Sequence, residues 1–297
     1  ALLFAKGRSV MPELWRDITI DTIEQRRTLL SELCLPELQA RMVREHRWLP
    51  QAIEGEAWLL LTLDIPYVSR HNVKYHTITI LLSKTEIITL HQGELDDELI
   101  QRITALRPSH TTPSLILATI AQFSIEQFMP LLNHIDDVTD QLEDTMIRTP
   151  DNRQLQQLFV YKRQLADLRK VVLPLMNVLN GLSNGRYVLF DKKCAVYVRD
   201  SYDYAWRVHE LIDTMRDLLT SALDMYLSVV SNRMNDVMKR LTLVATVFMP
   251  VSFLTGLGGM NFVQLPFRSD VAFWLMIGLI VLIPLAMVGY FVRHKWL

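Results

Sequence analysis

The chain has 297 residues, a length that suits about two domains, and its 31 Lys plus Arg nearly cancel its 32 Asp plus Glu. That balance gives no general attraction to nucleic acid. The two cysteines, Cys34 and Cys194, lie far apart and outside any CxxC, which argues against a disulfide framework or a cysteine-rich metal site.

Mean hydropathy is slightly positive although 21% of residues are charged, as expected of a soluble region joined to a membrane segment. The N-terminus shows no basic stretch followed by an apolar core and a small-residue cleavage site, so no secretory signal is expected. Helical patterns fall at Ile23–Leu33, Pro36–Arg47 and Asp96–Leu106. Between them, "AWLLLTLDIPYV" and "HTITILLSKTEIITLHQ" are rich in Leu, Ile and Thr and read as strands. The second folds at Ser83-Lys84-Thr85 into a hairpin. Residues 1–112 are therefore expected to form an α/β domain. From Pro113 the pattern is helical, over Ser114–Leu132, His134–Arg148 and Arg153–Leu179, with a break at "NGLSNG". On His134–Arg148, Asp136, Asp137, Asp140, Glu143 and Asp144 read as a solvated acidic face. The helical region extends to 240.

Two windows carry no charge. Leu241–Phe262 and Val271–Val292 are 22 residues each, long enough to cross a bilayer with some tilt. Pro250 and Pro284 are tolerable within such spans when neighbouring helices satisfy the freed carbonyls. Arg233, Lys239 and Arg240 precede the first span, and Arg293 and Lys295 follow the second. The connection 263–270 holds one Arg and one Asp. The positive-inside bias places both outer flanks, and so the large N-terminal region and the 293–297 tail, in the cytoplasm. Trp274, Tyr290 and Trp296 suit interfacial positions.

From Asp200 no proline occurs until Pro250 and no glycine until Gly256. Steps of three and four residues from Asp200 trace one helical face through Arg207, Asp217, Asp224, Ser231 and Asn235. It continues as Met238, Thr242, Ala245, Met249, Ser252, Gly256 and Gly259. The face is polar as far as Asn235 and then only Met or small, the reverse of a coiled-coil seam. A face that stays wet below the bilayer and slim within it suits a pore-lining helix. Two spans cannot enclose a pore, so a ring of chains is expected. A helix from Asp200 to Gly259 would be about 90 Å long. Gly256, Gly259 and Asn261 stand at its outer end, where carbonyls and a ring of amides could face an arriving ion. Mg²⁺ gives up its waters reluctantly, so neutral oxygens that bond its hydration shell suit it. Met249 would form a hydrophobic constriction and Asp224 a ring of negative charge on the inner side.

These residues resemble the CorA family of magnesium and cobalt transporters, two-span proteins with a Gly-Met-Asn signature. The resemblance is carried by "MYLSVVSNRMNDVMKRLTLVATVFMPVSFLTGLGGMNF", the short loop, the second span and the terminal "KWL". It is close over Val198–Leu297 and architectural before that. It implies a homopentamer with a cytoplasmic α/β funnel, long pore helices, and passive divalent-cation flux without a further cofactor. It places selectivity on Gly259, Met260 and Asn261, pore-lining on Asn235, Met249 and Gly256, and the gate on Leu241 and Thr242. The "RD" of "YVRDSYD" matches the family's regulatory aspartate, which makes Asp200 the candidate ligand of a regulatory divalent ion. Two departures stand out. An aromatic residue usually precedes Gly-Met-Asn, whereas Gly258 stands here, and the loop "VQLPFRSD" includes Arg268 and lacks an acidic pair.

The eight histidines form no HxxxH, and no GxxxxGK[ST], GxSxG or HExxH occurs, so no enzyme is expected. The fold class expected is an α+β membrane protein. Three functions stay open: a Mg²⁺ channel that also passes Co²⁺ or Ni²⁺, a member of the zinc-transporting branch, and a non-conducting membrane-anchored sensor or scaffold.

Overall fold

A computed structural model describes residues 14–20, 25, 32–33, 35–45, 49–69, 72–107, 110–260 and 270–294. The expected helix Ile23–Leu33 falls largely outside these residues, as do Cys34, Asn261, most of the connection 263–270, Lys295 and Trp296. The chain divides into two compact units, residues 1–223 and 224–297.

The first unit is built on a five-stranded sheet of order β1-β5-β4-β3-β2. Its strands are β1 (Trp15–Thr19), β2 (Gln51–Glu54), β3 (Leu59–Ser69), β4 (Asn72–Leu82) and β5 (Ile87–His91). All neighbours are antiparallel except β1, which runs parallel to β5. β3 and β4 pair from Leu59↔Leu82 to Ser69↔Asn72, so the two most apolar strands lie together. The hairpin expected at Ser83 joins β4 to β5. Ser83 N donates to the Glu86 carbonyl at 2.9 Å, and Ser83 Oγ accepts from Glu86 N at 3.0 Å.

Both faces of the sheet are covered. On one, Leu60, Leu81, Ile88 and Leu90 pack with Met42 and Val43 of helix α1 (Glu37–Glu45). Helix α2 (Asp97–Thr104) follows β5, its N-terminal N–H of Glu98 held by the Asp96 carboxylate at 2.9 Å. Helix α3 (Pro113–Glu126) lies against β3, β4 and β5, with Ile116, Ile120 and Phe123 fully buried. Helices α4 (Phe128–Arg148) and α5 (Asn152–Ser183) complete the unit. The sequence suggested a break near Asn133, but the chain breaks at Gln127 and α4 runs through Asn133 unbroken. Pro130 explains the difference: it sits in the first turn of α4, where a missing N–H leaves no bond unmade. α5 opens on a capping box in which Asp151 N donates to Gln154 Oε1 at 2.9 Å and Asp151 Oδ1 accepts from Arg153 N.

Helix α6 (Ala195–Gly258) is unbroken over 64 residues and belongs to the first unit up to Leu223 and to the second from Asp224. Helix α7 (Asp270–Arg293) belongs to the second unit. The fold class is thus α+β, with an N-terminal sheet-based unit and two apolar C-terminal helices.

Candidate functional site

Within the second unit, α6 and α7 pack as an antiparallel pair. A Cβ built on Gly258 would lie 2.6 Å from Met276 Cε, so these two positions are in contact. Leu243 precedes Gly258 by the same fifteen residues that separate Met276 from Phe291, and both Leu243 and Phe291 are buried. On α6 the covered positions are Leu243, Thr246, Val247, Pro250, Val251, Leu254 and Gly258. On α7 they are Ala272, Met276, Ile280, Ile283, Pro284, Met287 and Phe291. Each set recurs at three or four residues and forms one stripe. Both prolines lie in these stripes.

The face traced from the sequence lies elsewhere. Asn235, Met238, Thr242, Ala245, Met249, Ser252, Gly256 and Gly259 are all exposed. At about 100° per residue, the members from Thr242 onward centre roughly half a turn from the covered stripe. The chain therefore brings the small and polar face together along one side and packs the opposite side on α7. Asp224 and Leu241 are exposed as well, and so is Asp200, in the first unit on α6. Among the described residues no three His, Cys, Asp or Glu side chains come together to hold a metal ion.

The glycines at the end of α6 separate into two kinds. Gly258 must be small because Met276 occupies its side-chain space. Gly256 meets nothing within 4 Å, and Gly259 meets only ordinary contacts with the Thr255 and Gly256 carbonyls. Among the described residues no packing requires either to be glycine. After Gly258 the backbone closes with Gly259 N donating to the Thr255 carbonyl at 3.0 Å and Met260 N to that of Leu257 at 3.3 Å. Thr242 Oγ1 donates to the Met238 carbonyl at 2.8 Å, and Thr246 Oγ1 to that of Thr242 at 2.7 Å. Hydroxyls bonded back in this way leave no unmet donor in an apolar setting.

A second uncovered stripe runs beside the first. Leu227, Val230, Met234, Val237, Leu241, Val244 and Phe248 step strictly by three and four, and all are exposed. Sequence reasoning passed over this heptad seam because it followed a register one residue away. It also missed two buried polar networks in the sheet. Thr89 Oγ1 donates to Asp17 Oδ1 at 2.5 Å and accepts from Trp15 Nε1 at 3.0 Å, while His91 Nε2 lies 3.1 Å from the same carboxylate oxygen. Asp64 is 1% exposed, and its Oδ1 accepts from Thr77 Oγ1 at 2.5 Å. Burial pushes the Asp64 carboxyl up to about 6, with the Thr77 bond opposing. An acidic residue in an otherwise apolar strand, facing Thr across the pair, was the available signal.

Three stretches are long and apolar enough to cross a membrane, but Pro113–Arg148 is largely buried within the first unit. The remaining two, α6 and α7, define a two-span membrane protein carried on an α+β unit. The sequence pattern described as "CorA-like Mg2+ transporter protein" matches residues 14–294, and the chain belongs to this family. It is 32% identical to the cobalt/magnesium transport protein CorA of Thermotoga maritima over 82% of this chain and 71% of that one. The solved CorA magnesium transporter of Methanocaldococcus jannaschii superposes with a TM-score of 0.82 at 23% identity, covering 96% of this chain and 92% of the other, a likeness of fold. A zinc transport protein ZntB of Yersinia pseudotuberculosis is 25% identical over 56% of this chain and 53% of its own length.

Proposed function

We propose that this chain is the subunit of a divalent-cation channel that passes Mg²⁺, with Co²⁺ and Ni²⁺ as further ions, through a pore lined by α6. The observation that carries this reading is the two-sidedness of α6. Its small and polar stripe faces away from α7, and Gly256 and Gly259 are glycines that no contact among the described residues demands. Smallness there serves something outside the chain, and a water-filled path is what a polar backbone and slim side chains accommodate. Gly259, Met260 and Asn261 form the selectivity end, Met249 the apolar constriction, and Leu241 and Thr242 the gate. Asp224 and Asn235 line the cytoplasmic approach.

The channel is a homopentamer in this reading. The apolar heptad seam beside the stripe supports association with further copies, since its four members before the span, Leu227, Val230, Met234 and Val237, are exposed, large and apolar with no lipid to cover them. The protein sits in the cell (inner) membrane with both termini in the cytoplasm, as the basic flanks indicate. Divalent ions on the cytoplasmic side regulate it through Asp200, and no further cofactor takes part. No nucleic acid and no enzymatic step enter this account.

The test is ion entry into proteoliposomes under an inward-negative potential, comparing wild type with Asn261→Ala. Mg²⁺ entry that falls at least tenfold in the variant is the expected result. Entry of Zn²⁺ alone would move the chain to the zinc-transporting branch. Absence of flux of either ion from an assembled oligomer would favour a membrane-anchored sensor or scaffold.

A further inference from the structure

The geometry points to Met276 as a positioning residue for the selectivity end of α6, seated in the side-chain space that Gly258 leaves open. This rests on the channel reading above. Gly258 is the last residue of α6 and directly precedes Gly259, Met260 and Asn261. A Cβ there would stand 2.6 Å from Met276 Cε and 3.0 Å from its Sδ, well inside van der Waals contact. The absence of a side chain at 258 therefore sets how deeply α7 closes on α6 at that level. Among the described residues, Gly258 is the glycine at this end that packing within the chain shapes, whereas Gly256 and Gly259 are exposed. The thioether is unbranched and adaptable, so it fills the gap without fixing a rigid shape.

The contact also predicts how it fails. A methyl group at 258 meets the far end of a flexible side chain, so Met276 swings aside and the helix pair stays folded. The end of α6 that carries Gly259 and Met260 then loses the seat on α7 that the Gly258–Met276 contact gives it, while the buried Leu243 and Phe291, each fifteen residues away along its own helix, are left in place. The effect should be local to the mouth.

The experiment uses the full-length protein in proteoliposomes with four backgrounds: wild type, Gly258→Ala, Met276→Ala and the double variant. The half-saturating Mg²⁺ concentration and the maximal rate are measured separately, with oligomer assembly checked for each. Gly258→Ala is expected to raise the half-saturating concentration three- to tenfold with little change in assembly. Met276→Ala is expected to shift it in the same direction, and the double variant to fall short of the sum of the two shifts, since both remove one contact. Met276→Leu, which keeps the bulk, should stay within about twofold of wild type. Independent, additive shifts in the double variant, or no shift in Gly258→Ala, would overturn the proposal. A second reading does not depend on flux. In the background of Met260→Cys, the rate of thiol modification by a membrane-impermeant maleimide is expected to change severalfold on Gly258→Ala. An unchanged rate would overturn the positioning role even in a conducting protein. A changed rate in a protein that passes no ion would keep it and would count against the channel reading alone.

Discussion

Two stretches of this chain meet the same requirement of length and hydropathy for crossing a membrane and meet opposite fates. The most apolar window of Pro113–Arg148 is 61% buried within the chain, and that of Asp270–Arg293 is 0% buried. In α3 the apolar residues face all round because a sheet lies on one side and further helices on the others. In α7 only one stripe meets α6, and Phe273, Trp274, Leu282 and Leu285 face outward. Hydropathy states that a segment avoids water; packing states whether protein or lipid replaces it.

The contrast is broken most directly at its buried end. Phe123→Ala in α3 removes a fully buried ring, and the first unit should lose about 3–5 kcal/mol of stability. Leu282→Ala in α7 should cost under about 1 kcal/mol, because lipid closes over the deletion. Thermal unfolding of the detergent-solubilised protein compares them, and equal losses would show that α7 is buried by protein as α3 is. A second change sharpens the picture of the uncovered faces. Met234→Asp with Val237→Asp places charge in the heptad seam, and assembly should weaken at least tenfold by light scattering while the melting of the first unit is unaltered. If assembly persists, the seam is not where copies meet.

The third effect is smaller and concerns only the sheet. The folded carboxyl of Asp64 titrates at about 6, against 3.8 for the ordinary group. The folded state therefore binds its proton more readily than the unfolded chain does. The cost of the buried charge is full above pH 6 and is relieved as pH falls from 6 towards 4, by an amount on the order of 2–3 kcal/mol. Wild type should gain stability over that window relative to Asp64→Asn, read as the difference between their melting temperatures at pH 7.5 and pH 5. A parallel pH dependence of the two would remove Asp64 as the cause.

Much of this architecture was legible before any coordinates. The turn at Ser83 announced itself through strand-forming residues on both sides of a polar triplet, and the two spans through their lack of charge. The exposed stripe of α6 followed from period alone, since Thr242, Ala245, Met249, Ser252 and Gly256 are spaced as one helical face. What the sequence hid depends on neighbours remote along the chain. Gly258 reads as one more small residue until Met276 is seen in its side-chain space. The bond that satisfies the buried Asp64 carboxylate is unseen until β4 brings Thr77 to it. The seam from Leu227 to Phe248 was hidden differently, because one register of a helix drew the eye from the register beside it.

The threonine near the start of the first span carries a last consequence. Thr242 spends its only hydroxyl proton on the carbonyl of Met238. What it turns outward is therefore a pair of oxygen lone pairs and a methyl group, with nothing left to donate. In the proposed pore, the waters around a cation, whose hydrogens point away from it, would find an acceptor there, whereas the waters around chloride, which present oxygens, would find none. A ring of such side chains would sort ions by the orientation of their solvent, without any charge of its own.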